Sequence, residues 1–97
     1  MNLASQSPRP VVEVRLSAVL TDLFPDSVRC LDVEAATVAE MIDALDRRWP
    51  GMRDRICDTT PAIRKHMNVF VDGERVKLDA PLRPGAEVFV LTAISGG

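Results

Sequence analysis

From residue 11 onward apolar and polar positions alternate: Val12, Val14 and Leu16 are separated by Glu13 and Arg15. A period of two predicts a strand with one face in a core. Residues 17–27 (SAVLTDLFPDS) end in Pro25-Asp26-Ser27, turn chemistry that predicts a long-looped hairpin returning through residues 28–33. The period then changes. Val38, Met41, Ile42, Leu45 and Trp49 recur at spacings of three and four, one face of a helix over about residues 38–49. Thr37 and Glu40 form a capping box at its start, Arg47 and Arg48 suit its negative end, and Pro50-Gly51 stops it. Asp43, Asp46 and Arg47 are assigned to the water face.

Residues 52–64 are irregular, with room for one short helical turn around residues 52–57. The β-branched and aromatic run 66–71 predicts a third strand, and Asp72-Gly73 a tight turn into a short return over 75–78. Pro81 and Pro84-Gly85 mark a second turn region before a final strand over 87–93. In that strand Val88 and Val90 point one way, Phe89 and Leu91 the other. With a single amphipathic helix, the order β, β, α, β, short β, β predicts a two-layer α+β domain. The domain spans 11–93, between a flexible leader (1–10) and a flexible tail (94–97).

Composition narrows the function classes. A chain of 97 residues has room for one domain, which excludes an enzyme with a separate cofactor-binding half. A formal charge of -2 and a pI near 5.3 argue against nucleic acid, whose binding needs a basic surface to displace counterions. Cys30 and Cys57 stand alone, with no Cys-x-x-Cys or Cys/His cluster to hold a metal. The longest apolar runs, such as 88–91, fall far short of the ~20 residues that cross a bilayer. Residues 1–10 lack the basic start and apolar segment of a secretory signal, so a cytoplasmic protein with reduced thiols is expected.

The common catalytic constellations are missing. Neither cysteine has a neighbouring histidine to activate it, His66 has no positioned nucleophile, and no G-x-x-x-x-G-K-[ST] loop is present to bind ATP. One helix covers one face of a sheet, which leaves Phe70, Phe89 and Leu91 either as an exposed apolar patch for a partner or under the 17–27 loop, with its Val19, Leu20, Leu23 and Phe24.

The last strand is followed by Ile94-Ser95-Gly96-Gly97. Together with ATVAEMIDALDRRWPGMRDRI around the helix, HMNVFVDGE at the third strand and LRPGAEVFVLTAISGG at the end, this resembles the MoaD/ThiS family of ubiquitin-like sulfur carriers over about residues 11–97. Thr92 stands where many members have proline. The resemblance implies a β-grasp fold, a mixed four- to five-stranded sheet with one main helix packed on one face. It also implies a protein cosubstrate rather than an enzyme, with no metal and no cofactor bound by this chain. The implied partners are an adenylating activating enzyme, which uses ATP, and a sulfur-accepting enzyme such as the large subunit of molybdopterin synthase.

On that resemblance Gly97 is the adenylate and thiocarboxylate site, Gly96, Ser95 and Ile94 form the tail, and the sulfur goes to cofactor or metabolite synthesis, molybdopterin-type first. The chemistry explains the glycines. A terminal carboxylate, with a pKa near ~3.5, is ionised at neutral pH and resists nucleophiles until it is activated. A tail that threads a narrow channel needs close backbone approach without a Cβ. Six extended residues from Thr92 to Gly97 reach at most ~20 Å. Two other readings share this pattern: a ubiquitin-like modifier conjugated to lysines through Gly97, and a β-grasp interaction module with an inert tail.

Overall fold

A computed structural model describes residues 9–93. β1 (Val11–Leu16) buries Val12, Val14 and Leu16 and pairs antiparallel with β2 (Cys30–Glu34), setting Val12 opposite Val33 and Val14 opposite Leu31. Arg9 and Pro10 are already tied to the fold. The Pro10 carbonyl accepts the Ala35 N–H at 2.9 Å, and Arg9 Nε lies 2.9 Å from Glu40 Oε1.

The connection after β1 differs from the expected loop. Residues Ala18–Leu23 form a short helix, α1, capped by Ser17, whose Oγ accepts the Leu20 N–H at 3.2 Å. Only Leu20 of its six residues is buried, too sparse an apolar stripe for periodicity to reveal. Its one legible signal was the capping serine.

The long helix α2 (Val38–Arg48) buries Val38, Met41, Ile42 and Leu45, as the spacing predicts, and Trp49 closes it. Three of the N–H groups at its start, which a helix cannot satisfy internally, find acceptors outside the helical ladder. Val38 and Ala39 donate to the carbonyls of Ala80 and Leu78 and Glu40 to Thr37 Oγ1, and the Met41 N–H then makes the first intrahelical bond, to the Thr37 carbonyl. The return half of the capping box is displaced by one residue: Glu40 Oε1 accepts from the Ala36 N–H at 3.0 Å instead of the cap residue's own.

α3 (Met52–Ile56) is the short turn expected after Pro50-Gly51, and it seals the core with Met52 and Ile56. Gly51 takes φ 101°, a left-handed conformation that a side chain would strain, and it has no side chain with which to cap α3. Asp46 supplies the cap from the neighbouring helix, its Oδ1 accepting the N–H groups of Gly51 and Arg53 at 3.0 Å each. Asp43 pairs with the Arg53 guanidinium. Asp43 and Asp46, assigned to water from the sequence, instead stitch α2 to α3.

β3 (Met67–Val71) and β4 (Glu74–Val76) are joined by Asp72-Gly73 with both φ angles positive, at 49° and 89°, the two-residue hairpin turn that Asp-Gly favours. β5 (Glu87–Thr92) lies at the centre, parallel to β1 and antiparallel to β3, giving the order β2-β1-β5-β3-β4. Val12, Val14, Val69, Val88 and Val90 line the helix side with no exposed surface. Burying each such side chain is worth ~1.5–3 kcal/mol, and among the described residues no polar or charged side chain is buried with them.

Candidate functional site

The C-terminal strand occupies the middle of the sheet and is gripped on both sides up to its end. On one side the Ser17 N–H donates to the Val90 carbonyl at 2.9 Å, and the hydroxyls of Ser17 and Thr92 lie 3.0 Å apart. On the other the Ala93 N–H donates to the His66 carbonyl at 2.7 Å. Thr92, the position where the family often has proline, thus ties the end of β5 to the cap of α1. Ile94, Ser95, Gly96 and Gly97 lie outside the described residues. Among the described residues, Thr92 and Ala93 are held at the end of the sheet.

The strands bring Phe70, Phe89 and Leu91 to the sheet face opposite α2, as strand parity requires. Register aligns Cys30, Arg15, Phe89, Phe70 and Arg75 in one row across all five strands. The two phenylalanines are half-buried, set opposite each other with the Arg15 guanidinium 5.6 Å from the centre of the Phe89 ring. Leu91, one step along β5, is 37% exposed. The alternative cover is absent: Leu20 of α1 sits in the buried cluster with Val88 and Val90, and Phe24 packs against that cluster, its ring beside Gly51. The 17–27 segment therefore folds onto the helix side and leaves the three residues uncovered among the described residues.

A second row on the open face is acidic. Asp32, Glu13 and Glu87 stand on neighbouring strands, and Asp72 adjoins Glu87, whose N–H it accepts at 3.0 Å. Arg15 bridges this row to the aromatic one, with Nη2 at 3.3 Å from Glu13 and 4.0 Å from Glu87. The open face is thus an apolar strip bordered by a carboxylate row.

Neither cysteine sits in a thiolate-forming environment. The exposed Cys30 thiol is pushed up by desolvation and by the Glu13 carboxylate, 3.6 Å from its Sγ, and burial pushes up Cys57. Among the described residues no group of three or more His, Cys, Asp or Glu side chains is placed to hold a metal. No helix among them is long and apolar enough to cross a membrane.

A mixed sheet whose first and last strands run parallel at its centre, curled around one main helix, is the ubiquitin-like β-grasp fold. The chain belongs to the ThiS family, whose model matches residues 14–97. It is 29% identical over 87 residues to small archaeal modifier protein 1 of Haloferax volcanii, an alignment covering 89% of this chain and all of that one. The crystal structure of that protein superposes with a TM-score of 0.75 at 28% identity, covering 90% of this chain and 99% of the other. A chain of the Amycolatopsis orientalis BexX/CysO complex gives 0.80 at 27% identity, covering 89% and 99%. These likenesses set the protein among small β-grasp sulfur carriers and ubiquitin-like modifiers.

Proposed function

We propose that this protein carries sulfur as a C-terminal thiocarboxylate on Gly97. A partner activating enzyme holds ATP; the Gly97 carboxylate attacks its α-phosphate, pyrophosphate leaves, and an acyl-adenylate forms. Sulfide then attacks the acyl carbon and expels AMP, leaving sulfur in place of one carboxylate oxygen. If an enzyme persulfide attacks instead, an acyl disulfide forms and a second thiol must cleave it to release the thiocarboxylate. The carrier then passes its sulfur to an accepting enzyme, molybdopterin-type synthesis being the first pathway to test. Ile94, Ser95 and Gly96 thread the partner's channel, and Phe70, Phe89 and Leu91 dock the body against the partner. ATP is the activating enzyme's substrate.

The observation that carries this reading is the grip on β5. Among the described residues the sheet holds β5 through Ala93, which immediately precedes Ile94-Ser95-Gly96-Gly97 in the sequence, beside an apolar face that nothing in the described fold covers. The relative solved in a complex with a second protein supports a partner-dependent role. Deleting Gly97, or adding one residue after it, abolishes ATP–pyrophosphate exchange by the cognate activating enzyme, recovered by co-purification, while the circular dichroism spectrum is unchanged. Undiminished exchange with either variant defeats the assignment of Gly97.

A second reading, attachment to lysines through an isopeptide bond at Gly97, is favoured by the relative that is named a modifier. It shares the adenylate and differs in the attacking group, an amine in place of sulfide.

A further inference from the structure

At the β4 edge the sheet is less well covered. Ile63, Val76 and Leu78 are only partly buried there, and they floor an open groove of about 780 Å3 between the segment entering β3 and the outer side of β4. Its walls carry Arg64, Lys65, Arg75 and Lys77, all exposed, against one carboxylate, Asp79. Both lysines of the chain are in this groove. Among the described residues none of the four cations is in an ion pair, although Arg64 Nε donates to the Asp54 carbonyl at 2.7 Å. In a chain of formal charge -2 this is a local excess of positive charge, four cations against Asp79 in the lining.

The backbone at the same edge is open. Across a two-residue hairpin turn, Val71 and Glu74 form the hydrogen-bonded pair, so Phe70 and Arg75 form the next, non-bonded one. The Arg75 N–H and C=O therefore point away from β3, toward the free edge. A strand laid along that edge would bond both groups. Its residue opposite Arg75 would emerge beside the guanidinium, the next would turn toward Val76 and the groove floor, and the one after would emerge beside Lys77.

We propose that the β4 edge docks an extended acidic segment of a partner protein, in which carboxylates alternate with aliphatic residues, added as a further strand of the sheet. The alternation follows from parity, the acid from the four exposed cations, and the aliphatic residues from the apolar floor. Nucleic acid fits less well, because the acidic row on the open face and the low overall pI would repel it. The proposal is independent of what Gly97 carries.

The test titrates the full-length, 15N-labelled protein with the blocked peptide Glu-Val-Glu-Leu-Glu. Lys-Val-Lys-Leu-Lys and a short thymidine oligonucleotide serve as comparisons. The expected result is saturable shifts of the amides at 64–65 and 74–78, slowed hydrogen exchange at Arg75, and weaker binding as salt is raised. The exposed double variants R75E/K77E and R64E/K65E, one for each wall, each weaken binding by roughly tenfold while keeping native amide dispersion. No saturable shift at millimolar peptide overturns the proposal. So do shifts centred on Phe70 and Phe89, unchanged binding by both variants, equal binding of the lysine peptide, or tighter binding of the oligonucleotide.

Discussion

The two faces of the sheet are built from the same strands yet obey different rules. Toward α2, Val12, Val14, Val69, Val88 and Val90 have no exposed surface and meet Val38, Met41, Ile42 and Leu45. On the other face, Phe70 and Phe89 are half-buried and Leu91 is exposed, bordered by Arg15 and a row of carboxylates. Folding explains the first set. It does not explain the second, because the valines already supply the strands' core contacts and parity bars Phe89 and Leu91 from sharing them. Large apolar side chains that the core does not use point to recognition.

That contrast predicts opposite outcomes for truncations on opposite faces. The largest effect on folding falls at Leu45, wholly buried at the centre of the helix stripe. Leu45→Ala lowers unfolding free energy by about 2–5 kcal/mol through lost burial and a residual cavity, a large share of the ~5–15 kcal/mol typical of a domain. Urea titration reads this directly, and a loss under ~1 kcal/mol would remove α2 from the core. Phe89→Ala inverts the pattern. It weakens binding to the activating enzyme by about 2 kcal/mol, roughly thirtyfold, as truncation of an interface aromatic does. Unfolding changes much less. Calorimetric binding beside urea unfolding separates the two, and a large stability loss with unchanged affinity would make the open face structural.

The smallest effect lies at the edge of the helix layer. The Ala36 N–H, and then Arg9, hold the Glu40 carboxyl below the ordinary carboxylate range. A depressed folded-state pKa adds stability above the unfolded value of ~4.3, and this contribution is lost as pH falls through the folded value. Urea midpoints of Glu40→Gln therefore lie below those of the parent at pH 7 and converge with them in acid. A constant gap at all pH values would deny the carboxylate this role.

The features legible in the sequence are those carried by local periodicity. Strand parity placed Val88 and Val90 on one face and Phe89 on the other, and the three-and-four spacing located α2 to within a residue. What escaped depends on contacts between distant positions. Glu40 meets Arg9 31 residues upstream, Asp46 caps a helix that begins beyond Gly51, and Thr92 reaches Ser17 75 residues away. None of these pairs has a spacing signature. α1 was missed because a six-residue helix with one buried side chain carries almost no amphipathic signal. The four groove cations read as scattered surface charge until the hairpin brings residues 75 and 77 beside 64 and 65. The tail reading rests on the sequence alone, since residues 94–97 lie outside the described residues.

The central claim, that Gly97 carries sulfur, is tested most directly by the intact mass of the protein purified from its native cell without reductive or alkaline steps. The account predicts a species heavier than the carboxylate form by the exchange of one oxygen for one sulfur, confined to the C-terminal peptide and absent when the activating enzyme is deleted. A population that is entirely carboxylate, accompanied by lysine-linked conjugates on larger proteins, would contradict it and make the chain a modifier.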